Sequence, residues 1–186
     1  MVTPIYDISD SSRVSSARAA PADDECLRYR LDVVAASAVD VVQSAGGWLY
    51  DRVMAGWEVT VLLPDSFDTR PLRILGVRVL DLESEDTSSG TSQSLAVSAE
   101  AFAGDGRVRE KVLKALDHPL TEVALWGDGW PRGMHRGIAR VQHVLSAAAR
   151  VFKGQALAAA GIPCNSVDPT ETLLCDMAHS DGTGLG

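Results

Sequence analysis

The chain has 186 residues, of which 46% are hydrophobic and 23% charged, and its formal net charge is −8. This composition is typical of one globular domain with tails and supplies enough apolar material for a core without disulfide or metal support. The acidic charge repels phosphate backbones and argues against a nucleic-acid-binding protein. The sequence has neither a long apolar run that would span a membrane nor a secretory signal, so a cytoplasmic protein is expected.

Residues 1–22 are rich in serine, alanine and aspartate and show no apolar period, so we predict a disordered N-terminal lead. A folded domain is expected over 23–162. Its first element is predicted to be a long helix, because apolar residues recur at spacings of three and four along one face. A second helical segment, 48–56, follows two glycines. The stripe of the first helix consists of Leu27, Leu31, Val34, Ala38, Val41 and Ala45.

Residues 57–63, WEVTVLL, predict a strand that is buried on both faces, because the run is short, β-branched and largely apolar. A loop and a short helix lead to a second predicted strand at 77–82, and short crossovers of this kind join parallel strands. The segment 56–65, GWEVTVLLPD, resembles the first strand of many Rossmann-like domains, including glycosyltransferases that use nucleotide sugars. The loop that follows lacks the glycines of the dinucleotide fingerprint, so no NAD or FAD site is predicted and any cofactor remains unknown.

The second half of the domain continues the alternation of strands and helices. Strands are predicted at 94–99 and 121–127, with a helix at 104–116 between them and a long helix at 134–160 after them. Residues 163–186 are predicted to be a flexible tail. The tail carries Cys164, Cys175 and His179, whose wide spacing does not suit a zinc site, so no metal site is predicted. The stripe of the long helix is Met134, Ile138, Val141, Leu145, Ala148 and Phe152.

These elements predict a single three-layer α/β domain. Its sheet would be open, mostly parallel and Rossmann-like, with long helices at the N- and C-terminal ends. The apolar stripes of the two terminal helices also favour a homo-oligomer or a protein partner, with no nucleic acid and no membrane involved.

In an open α/β sheet, ligands bind beyond the carboxyl ends of the strands. The predicted helix after the 126–140 loop would offer its N-terminus to an anion, and Trp126 or Trp130 would stack on a ring. The alternative for this loop is a tight turn with aromatics that seal the sheet edge. The candidate anion-binding residues are Asp128, Trp130, Arg132, His135 and Arg136.

A second candidate set lies in the loops that follow the first two predicted strands. Two aspartates there suit a magnesium ion, and an acid at the end of the second strand suits a ribose. The alternatives are loop solubility, helix capping and ordinary polar strand ends, and these are favoured. The residues of this set are Asp65, Asp68, Arg70, Asp81 and Glu83.

The sequence has no G-x-S-x-G elbow, no H-E-x-x-H pattern and no P-loop. No catalytic residue is therefore predicted, and the sequence leaves open whether the chain is an enzyme. The predicted function is a binding or protein-interaction module without a catalytic signature. The alternative is a small enzyme or sensor that binds a nucleotide or phosphorylated ligand at the carboxyl ends of the strands.

Overall fold

The structure is a computed structural model that describes residues 29–64, 68–83, 94–131, 134 and 137–176. These residues form a mixed α/β fold with seven strands in one sheet and five helices, which confirms the predicted α/β class. The predicted lead, 1–22, lies outside the described residues. In chain order the elements are β1 (Arg30–Val34), α1 (Ala38–Met54), β2 (Glu58–Leu63), α2 (Arg70–Ile74), β3 (Arg78–Asp81), β4 (Ser94–Ser98), α3 (Ala99–Gly104), α4 (Gly106–Leu116), β5 (Glu122–Trp126), β6 (Ile138–Val144), α5 (Ala147–Ala159) and β7 (Thr170–Asp176).

The strands of the sheet lie in the order β3-β2-β1-β4-β5-β7-β6. The first five strands in this order pair in parallel, with Val33 opposite both Val61 and Ala96. β7 is antiparallel to both of its neighbours, and its longer ladder is the one with β6. The sheet therefore has a parallel part, in which all carboxyl ends share one edge, and an antiparallel extension at β7 and β6.

The long N-terminal helix predicted over 27–45 is wrong in its first part, where the chain forms β1. The apolar stripe spans a strand, a turn and a helix, and its spacing matches a helix only by coincidence. The break falls at Ser37, whose extended backbone and side-chain oxygen cap α1 by accepting a hydrogen bond from the Asp40 N–H at 3.2 Å. A single helix, α1, then replaces the two predicted helical segments and continues through Gly46 and Gly47.

The long C-terminal helix predicted over 134–160 is also wrong in its first part, because residues 138–144 form the edge strand β6. Ser146 caps the shorter helix α5 by accepting a hydrogen bond from the Ala149 N–H at 3.0 Å. Residues 170–176 were predicted to belong to a flexible tail, but they form β7 between β5 and β6. β7 and β6 therefore extend the sheet beyond β5, where the sequence predicted only a helix and a tail.

Two apolar clusters pack on the two faces of the sheet. One joins the strands to α1, α2 and α5 through residues such as Leu49, Leu72 and Ala149. The other joins them to α3 and α4 through Phe102 and Val112. Among the described residues, no helix combines the length and hydropathy that crossing a membrane would require.

Candidate functional site

The carboxyl edge of the sheet has a switch point between β1 and β4. From β1 the chain continues outward on one side to β2 and β3, and from β4 it continues on the other side to β5. The loops after β1 and β4 therefore leave the edge in opposite directions and open a crevice, which is where ligands bind in open α/β sheets. Polar groups near this edge are the first candidates for a site.

Asp40 is the central polar residue at this edge. It lies in the first turn of α1, directly after the β1 loop, and its side chain is half-buried. One carboxylate oxygen accepts a hydrogen bond from the Ser44 hydroxyl at 3.1 Å. The other accepts from the indole Nε1 of Trp126, the last residue of β5, at 3.0 Å. The loop after β1 is thereby tied to the end of β5 through one carboxylate.

A polar cavity of about 480 Å³ lies beside the two residues that bind this carboxylate. Ser44 and Trp126, the two partners of Asp40, both lie on its wall. The volume is within the usual range for small-molecule sites. The remaining lining comes mainly from α5 and from the segment that leads into β7: Gln43, Gly127, Lys153, Leu157, Ile162, Pro163, Cys164, Ser166, Val167, Asp168, Thr170, Glu171 and Thr172.

Lys153 and Glu171 form a buried ion pair on the wall of this cavity, with an Nζ to Oε1 distance of 2.5 Å. The Glu171 carboxylate also accepts the backbone N–H groups of Gly47 at 2.8 Å and Trp48 at 2.7 Å. The Lys153 ammonium donates to the carbonyl oxygen of Gln43 at 2.7 Å. In a regular helix the Gly47 N–H would donate to the Gln43 carbonyl, so the ion pair is inserted beside one turn of α1 and holds it against α5 and β7.

The glycine at position 47 leaves little room for a larger side chain. An added Cβ would lie 2.6 Å from both terminal carbons of Leu145, which precedes α5. Leu145 is itself buried in the core. The interior glycine of α1 therefore leaves room for Leu145, in the β6–α5 connection, to pack against the helix backbone.

A second cavity, of about 520 Å³, opens on the other side of the same edge. Ala35 and Ala36 from the β1 loop and Pro64 from the end of β2 form one wall. The predicted residue Glu83 also lines it. The rest of the lining comes from the segment after β3 and from α3 and α4: Leu82, Glu100, Ala101, Gly104, Asp105, Arg107 and Val108.

Of the other predicted strand-end residues, Asp68, Arg70 and Asp81 are not part of the lining of these two cavities. The exposed side chains of Asp68 and Arg70 pair with each other at 2.6 Å, and hydrogen bonds from Arg70 lower the pKa of Asp68. Asp81 turns back on its own chain and accepts the Glu83 N–H at 3.0 Å. Asp65 lies outside the described residues. A joint role of these residues at one site stays a prediction.

The anion site in the 126–140 loop was argued from a helix that was predicted to begin there. That argument is wrong, because residues 138–144 form a strand and offer no helix N-terminus. Trp130 is buried in the core, with its ring centroid 4.9 Å from that of Phe102. Asp128 is exposed beside the end of β5. Arg132, His135 and Arg136 lie outside the described residues, so their part in an anion site stays a prediction.

A metal ion at this edge of the sheet would need several suitable side chains close together. Hydrolytic metal centres commonly use three protein ligands of the His, Cys, Asp and Glu types. Asp40 is one such group, and its described hydrogen-bonding neighbours are Ser44 and Trp126. Over the described ranges, no three residues of these four types lie close enough together to hold a metal ion. The described residues therefore do not fit a metal centre.

Sequence reasoning missed Ser37, Asp40 and Ser44. A signal was present, because a serine followed three residues later by an acid is typical of a helix N-terminus. The partner Trp126 was considered only as a stacking residue. Its role as a hydrogen-bond donor depends on a contact across 86 positions, which no local pattern reports.

No protein-family model and no curated protein sequence matches the chain. Solved structures do resemble it. A triple mutant of a deacetylase from the teicoplanin biosynthetic pathway aligns with a TM-score of 0.52 and 13% identity over 78% of this chain and 97% of that one. The A40926 pseudoaglycone deacetylase aligns with a TM-score of 0.51 and 16% identity over 79% of this chain and 96% of that one. The deacetylase–teicoplanin complex gives a TM-score of 0.52 at 13% identity.

These comparisons overturn the function predicted from the sequence. A binding or protein-interaction module without a catalytic signature was predicted, but these three structures of similar fold are enzymes, and all three are deacetylases. The same finding also replaces the alternative prediction, which was a small enzyme or sensor that binds a nucleotide or phosphorylated ligand. The prediction failed because it relied on short catalytic motifs, whereas the likeness lies in the arrangement of the whole sheet.

Proposed function

We propose that this chain is a deacetylase-type hydrolase whose reaction centre is the carboxyl edge of the sheet at Asp40. The observation that carries the proposal is the fold likeness to deacetylases over nearly their whole length, 96–97% of each chain. The half-buried carboxylate at the switch point, beside a cavity large enough for a small molecule, supports it from the site itself. We infer also that the parallel part of the sheet is a Rossmann-like variant. A cytoplasmic location stays a prediction.

Hydrolysis of an acetamide adds water to the acyl carbon, breaks the carbon–nitrogen bond and releases acetate and an amine. The reaction requires a group that accepts a proton from the attacking water. A carboxylate offers about four lone-pair positions. Ser44 and Trp126 occupy two of those of Asp40, one on each oxygen, and thereby fix its orientation. The remaining positions suit a water molecule, so we assign to Asp40 the role of general base.

The experiment that tests the proposal measures acetate release from N-acetylated amines of increasing size, with the purified chain at neutral pH. Each compound is assayed in chelator and with added Zn²⁺, Mg²⁺ or Mn²⁺, so that a metal requirement is detected directly. We expect time-dependent release of acetate and amine in equal amounts from at least one compound. Absence of release from every compound under all metal conditions would contradict the proposal.

A further inference from the structure

We propose that the polar cavity next to Asp40 binds a hydroxylated primary amine in its cationic form. The inference deepens the proposed function and rests on it in one respect: deacetylation produces an amine, which is protonated at neutral pH, and this amine must be held beside the reaction centre. The class of ligand itself is argued from the charge and the hydrogen-bonding groups of the cavity wall.

The charge of the described lining favours a cation over an anion. Lys153 is the single cationic side chain of that lining, and it is neutralised by Glu171, with both side chains more than nine-tenths buried. Asp168, at the exposed rim, adds one more carboxylate. It has no hydrogen bond or ion pair with any residue that the structure describes. Within the described part of the chain, the Asp168 carboxylate therefore has no cationic partner, and it would attract a cation and repel an anion.

The uncharged part of the wall favours a ligand with hydroxyl groups. Thr170 and Thr172 each bring a hydroxyl that can donate and accept a hydrogen bond, and the Ser44 hydroxyl, which donates to Asp40, can still accept one. Gln43 adds a side-chain amide, and Trp126 adds an aromatic surface that carbon–hydrogen groups can cover. A small molecule with an ammonium group and one or more hydroxyls matches both kinds of group.

The test compares three probes of nearly equal size that differ in charge: ethanolamine, ethylene glycol and glycolate. Binding to the full, isotopically labelled chain is followed by NMR, through the Trp126 indole N–H and the Gly127 backbone N–H, which both lie at the cavity. We expect ethanolamine to bind most tightly, ethylene glycol more weakly and glycolate most weakly.

Two variants identify the residue responsible. Asp168→Asn removes the rim charge and keeps the side-chain shape, so ethanolamine should bind about two- to fivefold more weakly, as expected for an exposed ion pair. The matched control is Asp117→Asn, at an exposed residue after α4 that is outside the cavity lining. It should leave all three affinities unchanged.

The proposal is overturned if glycolate binds as tightly as ethanolamine, if none of the three probes shifts the two reporter signals, or if Asp168→Asn leaves the affinity for ethanolamine unchanged. Because this experiment measures binding and not turnover, its result is independent of the acetate assay. If the probes bind in the expected order but no acetate is released, the amine site stands and the deacetylase proposal fails. If acetate is released but the probes do not bind in the expected order, only the amine site fails.

Discussion

The indole N–H of Trp126 donates a hydrogen bond of 3.0 Å to the carboxylate of Asp40, across 86 positions of the sequence. This contact joins the first turn of α1, the helix that follows β1, to the end of β5. In the order of the sheet, β1 and β5 lie on opposite sides of β4. The carboxylate is held from two directions, because Ser44 donates to its other oxygen. Asp40 therefore has a fixed position at the edge where the two halves of the sheet meet.

The Asp40–Trp126 contact should appear as a coupling energy in a double-mutant cycle. Asp40→Ala, Trp126→Phe and the double variant are compared by urea unfolding. Hydrogen bonds to charged groups are among the stronger ones, so we expect the two changes to be non-additive by about 1 kcal/mol. Purely additive effects on the free energy of unfolding would contradict the contact.

Replacement of Lys153 by methionine should be strongly destabilising. It leaves the Glu171 carboxylate buried without its cation, and removal of one partner of a buried pair typically costs about 3–5 kcal/mol. The double variant Lys153→Met/Glu171→Gln removes both charges, and the glutamine amide oxygen can still accept one of the two α1 backbone N–H groups that Glu171 accepts. We expect it to be more stable than Lys153→Met alone in urea unfolding. A double variant at least as unstable as the single one would refute this account of the pair.

Two glycines inside helices should respond in opposite ways to alanine. Gly47→Ala places a Cβ 2.6 Å from the terminal carbons of Leu145, and overpacking of this kind costs about 1–3 kcal/mol. Gly154→Ala, in α5, meets only Val167 at an ordinary 3.5 Å and should gain up to about 1 kcal/mol of helix propensity. Thermal unfolding of both variants checks the signs. Equal shifts in Tm for the two would show that Gly47 is not needed for packing.

Asp51 should contribute to loss of stability in acid. Burial raises its pKa, but hydrogen bonds from Ser146 and His143 outweigh burial, and the net effect lowers the pKa from its ordinary 3.8. A carboxyl whose pKa is lower in the folded state stabilises that state above the unfolded pKa, and the contribution is lost as the pH falls through the folded value. The advantage of the natural chain over Asp51→Asn in the free energy of unfolding should therefore shrink as the pH falls below about 4. If the free energies of unfolding of the two chains instead change in parallel with pH, this role of Asp51 is contradicted.

Much of the sheet could be predicted from the sequence. β2, β3, β4 and β5 were located within one or two residues, because each is a short apolar run between clear breakers. β1 and β6 were predicted as helix. Their apolar residues continue into α1 and α5 at helical spacing, and the capping residues Ser37 and Ser146 were not recognised as boundaries.

The candidate site was far less predictable. Loops at the strand ends were expected to carry it, and the structure does open cavities there, but the polar residues that lie together come from distant parts of the chain. Lys153 meets Glu171 only because β7 enters the sheet between β5 and β6. Sequence spacing reports neighbours along one helix or strand, and these contacts are set by the packing of separate elements.

The central claim is tested most directly by the rate of acetate release in Asp40→Asn and Asp117→Asn, measured with whichever N-acetylated amine the natural chain turns over. Both variants replace one carboxylate by an amide, and the second lies at an exposed position after α4. If Asp40 is the general base, kcat should fall about 10²- to 10⁴-fold in Asp40→Asn and remain unchanged in Asp117→Asn. An Asp40→Asn chain that folds and releases acetate at the natural rate would contradict the account.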